Sequence, residues 1–180
     1  MLSWHRAGGA APARAVFVDR DGVINRWIRD GYALTRADVV INDDVIAALR
    51  ALDRDAFAVV VASNQSCVGR GLISAAGMSE LMDYVVRELE LRGLPLDAWY
   101  CCPHAPDDGC GCRKPAPGML DAAARELGVE LPRSYFVGDQ ATDMEAAERA
   151  GVRGLLVRPD DAAGVRAHVA RIAQDLQHAG

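Results

Sequence analysis

Lysine is nearly missing from this chain. Of the twenty lysine and arginine residues among its 180, Lys114 is the only lysine. Lysine is ordinarily among the commonest residues, so arginine has been taken almost wherever a positive charge was wanted. Either Lys114 survives by chance, or it stands where a compact ammonium is needed and a planar guanidinium will not serve. Long apolar runs are missing too, since none approaches the ~20 residues that span a bilayer. Residues 1–13 have no extended apolar core of signal-peptide type and are expected to form a loose extension before the first strand. A cytoplasmic, reducing compartment is the matching expectation, with no membrane partner. There is no basic excess: the net charge of -5 argues against a nucleic-acid surface, which needs a basic stripe. A phosphate site would therefore be built from a few local cations. Internal repeats and low-complexity linkers are also absent, and the length suits one well-buried core, taken as a single domain over residues 14–180.

What is present is a series of apolar runs that each end in a polar cluster. Ala15-Val16-Phe17-Val18 reads as a buried strand and delivers Asp19-Arg20-Asp21-Gly22. Side chains two apart on a strand share a face, so Asp19 and Asp21 can converge on one ligand, and a divalent cation would relieve their repulsion. The alternative is a solvated acid pair in a turn. Arg20, between them on the opposite face, is expected to be structural. Residues 29–32 read as a loop over the mouth of a site. Asn42 offers a helix N-cap before Val45, Ile46, Leu49 and Leu52 at helical spacing. Phe57 to Ala62 is a second strand, delivering Ser63-Asn64-Gln65-Ser66. A helix from about Ser74 to Arg92, a strand at residues 97–101, a helix from Pro117 to Leu127, and Tyr135-Phe136-Val137 leading to Asp139 and Asp143 follow. A further helix over 144–150, a strand over 154–157 and a helix over 161–177 complete the pattern. Such alternation predicts an α/β, Rossmann-like three-layer sandwich with a mainly parallel sheet.

Ligands in such sheets bind beyond the carboxyl ends of the strands. Polar clusters sit at three such ends, Asp19 with Asp21, Ser63 to Gln65, and Asp139 with Asp143; three carboxylates from these would suit a hard cation, and Ser63 and Lys114 would add a hydroxyl and an ammonium. Singly, Ser63 could be a strand-end cap and Asp139 with Asp143 a helix-start pair; together they make a phosphate-handling site.

These four segments, Asp19 to Asn25, Ser63 to Ser66, Arg113-Lys114-Pro115 and Gly138 to Asp143, resemble the ordered motifs of the haloacid dehalogenase-like phosphatases. Within that superfamily the chain is most similar to the D-glycero-D-manno-heptose 1,7-bisphosphate phosphatases and the related histidinol-phosphate phosphatases. The resemblance implies that Asp19 attacks phosphorus to form an aspartyl-phosphate and that Asp21 moves protons. It also implies Mg²⁺ held by Asp19, the Asp21 carbonyl and Asp139 with Asp143 in support, Ser63 bonding a phosphoryl oxygen, and Lys114 countering transition-state charge. No insertion is long enough for a large cap domain, so loops shape the pocket. Arg113 and Gln65 are the first candidates for substrate contact, followed by Asn64, Ser66, Arg70 and Gln140. Arg113-Lys-Pro-Ala-Pro-Gly-Met119 and the Asn64-Gln-Ser stretch look like the heptose enzymes. The short five-residue gap between His104 and Cys110 and the Gly138-Asp-Gln-Ala-Thr-Asp run look more like the histidinol-phosphate enzymes. The chain departs from the heptose pattern at Ser63, where threonine is more usual, at Cys67, and in two extra residues before Asp30-Gly31-Tyr32. A small phosphorylated sugar or similar metabolite and a monomeric state are expected; a non-catalytic phosphate-binding or zinc-scaffold protein is the alternative of another class.

Four of the five cysteines crowd one segment, over residues 101–113. Cys102-x-His104 and Cys110-x-Cys112 offer four ligands suited to tetrahedral zinc, with a disulfide as the alternative. A loop of this kind also occurs in the family resembled. With all four positions filled by protein, the zinc is expected to be structural and to hold Arg113 and Lys114 in place. Cys101 is expected to be a buried strand-end residue, and His5, His168 and His178 solvated.

Overall fold

The computed structural model describes residues 1–7 and 12–178. Six strands form one sheet in the order β1-β4-β3-β2-β5-β6: β1 Leu2–His5, β2 Arg14–Val18, β3 Phe57–Asn64, β4 Ala98–Cys102, β5 Tyr135–Gly138 and β6 Arg153–Leu156. All neighbours are parallel except β1, which runs antiparallel to β4. The helices are α1 Asp43–Leu49, α2 Ser66–Gly69, α3 Ala75–Leu91, α4 Gly118–Leu127, α5 Ala141–Ala150 and α6 Ala162–His178.

Alternation along the buried strands makes the layers. Val16, Val18, Val59, Val61 and Val137 face α1, α3 and α6 in one apolar cluster. Ala15, Phe17, Val60, Ala62 and Phe136 face α4 and α5 in the other. The helices supply the matching stripes, Met78, Met82, Val85 and Leu89 from α3 and Met119, Leu120 and Ala123 from α4. With both faces covered, the strands read as continuous apolar runs. The expected three-layer architecture without a large cap is the one observed. No helix among the described residues is long and apolar enough to cross a membrane.

The expected loose extension over residues 1–13 is corrected in part. Leu2 to His5 pair with Ala98 to Cys101 of β4, and Leu2 and Trp4 pack on the core. The alternation that makes this a strand covers only four residues, too few to stand out in the sequence. Residues 8–11 lie outside those described. The short helix α2 was not anticipated either, and Asn42 makes no side-chain cap to α1. Its amide instead donates to Val23 O at 3.0 Å and to Asp160 Oδ1 at 2.9 Å.

The order of strands places the site. After β2 the chain builds outward through β3 and β4, then returns to β2's other side with β5. The direction of winding reverses at β2, which opens a crevice at its carboxyl end. Asp19 follows β2 there.

Candidate active site

Two glycines let three carboxylates meet at that crevice. Gly22, with φ of 84°, turns the chain after Asp21, and a Cβ on it would overlap the Asp139 carboxylate. A Cβ on Gly138 would overlap Asp143 in the same way. Carboxylate oxygens of Asp19, Asp139 and Asp143 come within 4.8 Å of one another. Asp143 is fully buried in the first turn of α5, where it accepts from Gln140 N at 3.0 Å.

Lys114 provides the compensating charge. Its ammonium, in a side chain 2% exposed, lies 3.0 Å from Asp19 Oδ1 and 2.6 Å from Asp143 Oδ1 and donates to Ala62 O at 2.9 Å. Among the described residues, Asp139 Oδ1 is buried with no hydrogen-bond partner, an arrangement unfavourable in a dry protein and natural for a cation ligand. The donors are all oxygens, as a hard divalent ion requires. Burial, helped by the neighbouring Asp143, Asp21 and Asp139 charges, outweighs the pull of Lys114 and raises the Asp19 carboxyl to about 7.

Asp21 was expected to have a side chain free to move protons, and the structure differs. Arg20 is fully buried, and its Nη2 donates to both Asp21 oxygens at 2.9 Å. Asn25 Nδ2 donates to Oδ1 at 2.9 Å and Gln65 Nε2 to Oδ2 at 2.8 Å. Burial raises the Asp21 pKa, but Arg20 with these amides outweighs it and holds the carboxylate below its ordinary range. Arg20 is thus Asp21's main partner, with both Met78 and Met82 sulfurs beside it. The strand pattern hid this, because the chain leaves extended geometry at Asp19.

A cavity of about 320 Å³ opens over the cluster, lined by Asp19, Asp21, Ser63, Asn64, Arg113, Lys114, Asp139, Gln140 and Asp143 among the expected residues. Gln65, Ser66 and Arg70 are not part of its lining. Gln65 is buried, bridging Asp21 and Ser63 Oγ, the latter at 2.9 Å. Ser66 is buried on α2 and Arg70 is exposed beyond it, because the chain turns away from the crevice after Asn64. Asn64 also does something unforeseen: its Nδ2 donates to Lys114 O, and its Oδ1 accepts from Lys114 N, both at 3.0 Å. This reciprocal pair fixes the backbone that carries the ammonium. Trp27, Ile28 and Thr142 line the cavity without having been singled out.

The cysteine loop docks beside β3. Cys102 Sγ lies 3.6 Å from both His104 Nδ1 and Cys110 Sγ, and Cys112 Sγ lies 3.3 Å from His104 Nδ1 and 3.7 Å from Cys110 Sγ. A tetrahedron with bonds of ~2.0–2.3 Å has edges of ~3.3–3.8 Å, so these four atoms stand at the corners of a zinc-sized site. They are too far apart for a disulfide at ~2.05 Å, and all five cysteines are free. Cys101 is buried as expected. His5 is not simply solvated, since its Nε2 lies 2.9 Å from Tyr100 Oη and 2.7 Å from Glu126.

A HAD-hydrolase-like family model matches residues 111–179. A D-glycero-beta-D-manno-heptose-1,7-bisphosphate 7-phosphatase of Photorhabdus laumondii is 40% identical over 145 residues, covering 77% of this chain and 76% of that protein. The chain belongs to this family of haloacid dehalogenase-like phosphatases. Two solved structures of similar fold agree. A D,D-heptose 1,7-bisphosphate phosphatase of Bordetella bronchiseptica, complexed with magnesium and phosphate, has a TM-score of 0.77 at 32% identity, covering 93% of this chain and 99% of that one. A HAD-like phosphatase of Mesorhizobium loti has a TM-score of 0.81 at 29% identity, covering 96% of this chain and 93% of that one. The family membership matches the resemblance read from the four motifs.

The spacing of the Cys102, His104, Cys110 and Cys112 donors predicts about one thiophilic metal ion per chain in elemental analysis of the purified protein. Three titratable free thiols at Cys102, Cys110 and Cys112 and no such metal would contradict it.

Proposed function

We propose that this protein is a Mg²⁺-dependent phosphomonoester hydrolase that removes the C7 phosphate of D-glycero-D-manno-heptose 1,7-bisphosphate. The observation that carries the reading is the Asp19 carboxylate at the cavity floor, beside the Lys114 ammonium and the unpartnered Asp139 oxygen. The substrate comes from the relatives: the Photorhabdus protein is described as acting on this bisphosphate.

Asp19, the Asp21 carbonyl and Asp139 would hold the Mg²⁺ with Asp143 in support, and the ion would supply charge neutralisation of the phosphoryl group. Asp19 attacks phosphorus and forms an aspartyl-phosphate, dividing one hard displacement into two. The Lys114 ammonium stands beside the Asp19 carboxylate, where it attracts the charge gathering on the phosphoryl oxygens. Ser63 offers its hydroxyl to a phosphoryl oxygen while Gln65 occupies its acceptor side. Asp21 returns a proton to the leaving oxygen and takes one from the hydrolytic water. To give that proton it must leave the donors that hold it ionised, so substrate entry has to compete with Arg20, Asn25 and Gln65. Cys102, His104, Cys110 and Cys112 would hold a zinc ion with a structural role, since four protein ligands would leave no position for water.

The substrate assignment is tested by comparing kcat/KM on heptose bisphosphate and on histidinol phosphate. At least a tenfold preference for the bisphosphate is expected, the size of discrimination one good set of contacts gives; a preference for histidinol phosphate would overturn the assignment.

The raised Asp19 value has a further consequence. A carboxyl whose folded pKa lies above its unfolded one binds more protons in the folded state, so the metal-free protein loses stability as pH rises from the ordinary carboxylate range to about 7. Mg²⁺ displaces that proton and relieves the repulsion. The rise in melting temperature on adding Mg²⁺ is therefore larger at about pH 8 than at about pH 5.5. Equal increments at the two values would contradict this arrangement of charges.

A further inference from the structure

One part of the cavity lining is apolar, unlike its floor. Trp27, Ile28, Tyr32 and Ala33 form it, and Trp27 leaves 43% of its surface exposed. An indole this open beside a charged floor is a contact surface awaiting a ligand with apolar faces.

The segment that carries Trp27 is hung on three separate parts of the fold. At its stem, Arg26 N donates to Val40 O at 2.8 Å and Asn25 bridges Ile41. At its far end the Tyr32 hydroxyl lies 3.2 Å from Ser66 Oγ. Between them Trp27 N donates to Asp160 Oδ1 at 3.2 Å.

Asp160 comes from the turn between β6 and α6, far along the chain. The same oxygen accepts from Asn42 Nδ2 at 2.9 Å, and Asp160 N donates to Gly22 O at 2.7 Å. One residue thus ties the turn behind Asp21 to the segment bearing the indole. Asp160 does so with φ of 62°, a left-handed conformation that residues with a side chain adopt at a cost. It touches none of the groups assigned to the chemistry, so its bonds act on position.

We propose that Trp27 determines specificity for the part of the substrate beyond the transferred phosphoryl group, and that Asp160 is the positioning residue that holds the indole over it. The class selected is a phosphomonoester whose leaving alcohol carries an extended sugar chain, with C–H faces that the indole covers; a short alkyl group does not extend to it. The proposal rests on the phosphatase reading above and adds the residues that choose the leaving group.

The test is the ratio of kcat/KM on heptose bisphosphate to that on ethyl phosphate. Trp27→Ala and Asp160→Gly each lower this ratio by about tenfold, chiefly through a higher KM for the sugar phosphate. Glycine adopts the left-handed turn without strain, so the Asp160→Gly protein keeps the turn and loses only the two side-chain hydrogen bonds to Trp27 and Asn42. Asp160→Asn keeps an acceptor oxygen and tolerates the same φ, and it restores the ratio. An unchanged ratio in Trp27→Ala overturns the specificity assignment. An unchanged ratio in Asp160→Gly, or an Asp160→Asn protein as impaired as the glycine variant, overturns the positioning role. If the unaltered protein hydrolyses another sugar phosphate better, the substrate assignment has failed separately, and the ratio is measured with that compound. Failure to hydrolyse either phosphate would overturn both readings.

Discussion

The contact on which the site depends is the buried ammonium of Lys114 between Asp19 and Asp143. Three carboxylates gathered where β2 and β5 end side by side repel one another, and desolvation makes each more costly to ionise. Burial alone would push the Lys114 ammonium down, but Asp19 and Asp143 outweigh it and hold it above the ordinary lysine range. Removing one partner from such a cluster typically costs roughly 3–5 kcal/mol, because the other charge is left buried and alone. An arginine would not substitute: its planar fork has no room where a single nitrogen meets two carboxylates and the Ala62 carbonyl. The lone lysine of the chain stands where a point charge is required.

That ammonium is placed by the loop that precedes it. Cys102 ends β4 beside Asn64 at the end of β3. The loop then touches the second motif again, with Gln65 N donating to Cys102 O and Gly69 N to Pro103 O, both at 2.7 Å. It closes onto α4 through Gly118 N, which donates to Gly111 O at 3.1 Å. A segment with little apolar content is thereby held at the cysteine cluster, at α2 and at α4, and the Asn64 amide completes the grip on Lys114 itself. The cysteine cluster and the acid cluster are separate sites joined by two residues of chain, Arg113 and Lys114.

The layers, the parallel strands and the acids at their ends were legible because each depends on short-range pattern: apolar runs of strand length, acids at their ends, a lone lysine, four close-spaced ligands. The errors lie where the pattern is too short or the contact too distant. Leu2 to His5 is a four-residue strand whose partner is about a hundred residues away. Gln65 and Ser66 follow the strand that delivers Ser63, yet the start of α2 carries them away from the cavity, a change of direction that no local composition announces. Arg20 reads as a strand residue on the far face, but the chain has left extended geometry by then and its guanidinium returns to Asp21. Trp27 and Asp160 are 133 positions apart, and no periodicity links them.

The role of Asp19 as the atom that receives phosphate can be examined most directly by quenching the enzyme during turnover of heptose bisphosphate and reducing it with borohydride. An acyl phosphate on the side chain is reduced to the alcohol, so peptide mass analysis should find homoserine at position 19 and aspartate at positions 21, 139 and 143. Unmodified aspartate at 19 in enzyme that is releasing phosphate, or homoserine at 21 in its place, would contradict the assignment of the nucleophile.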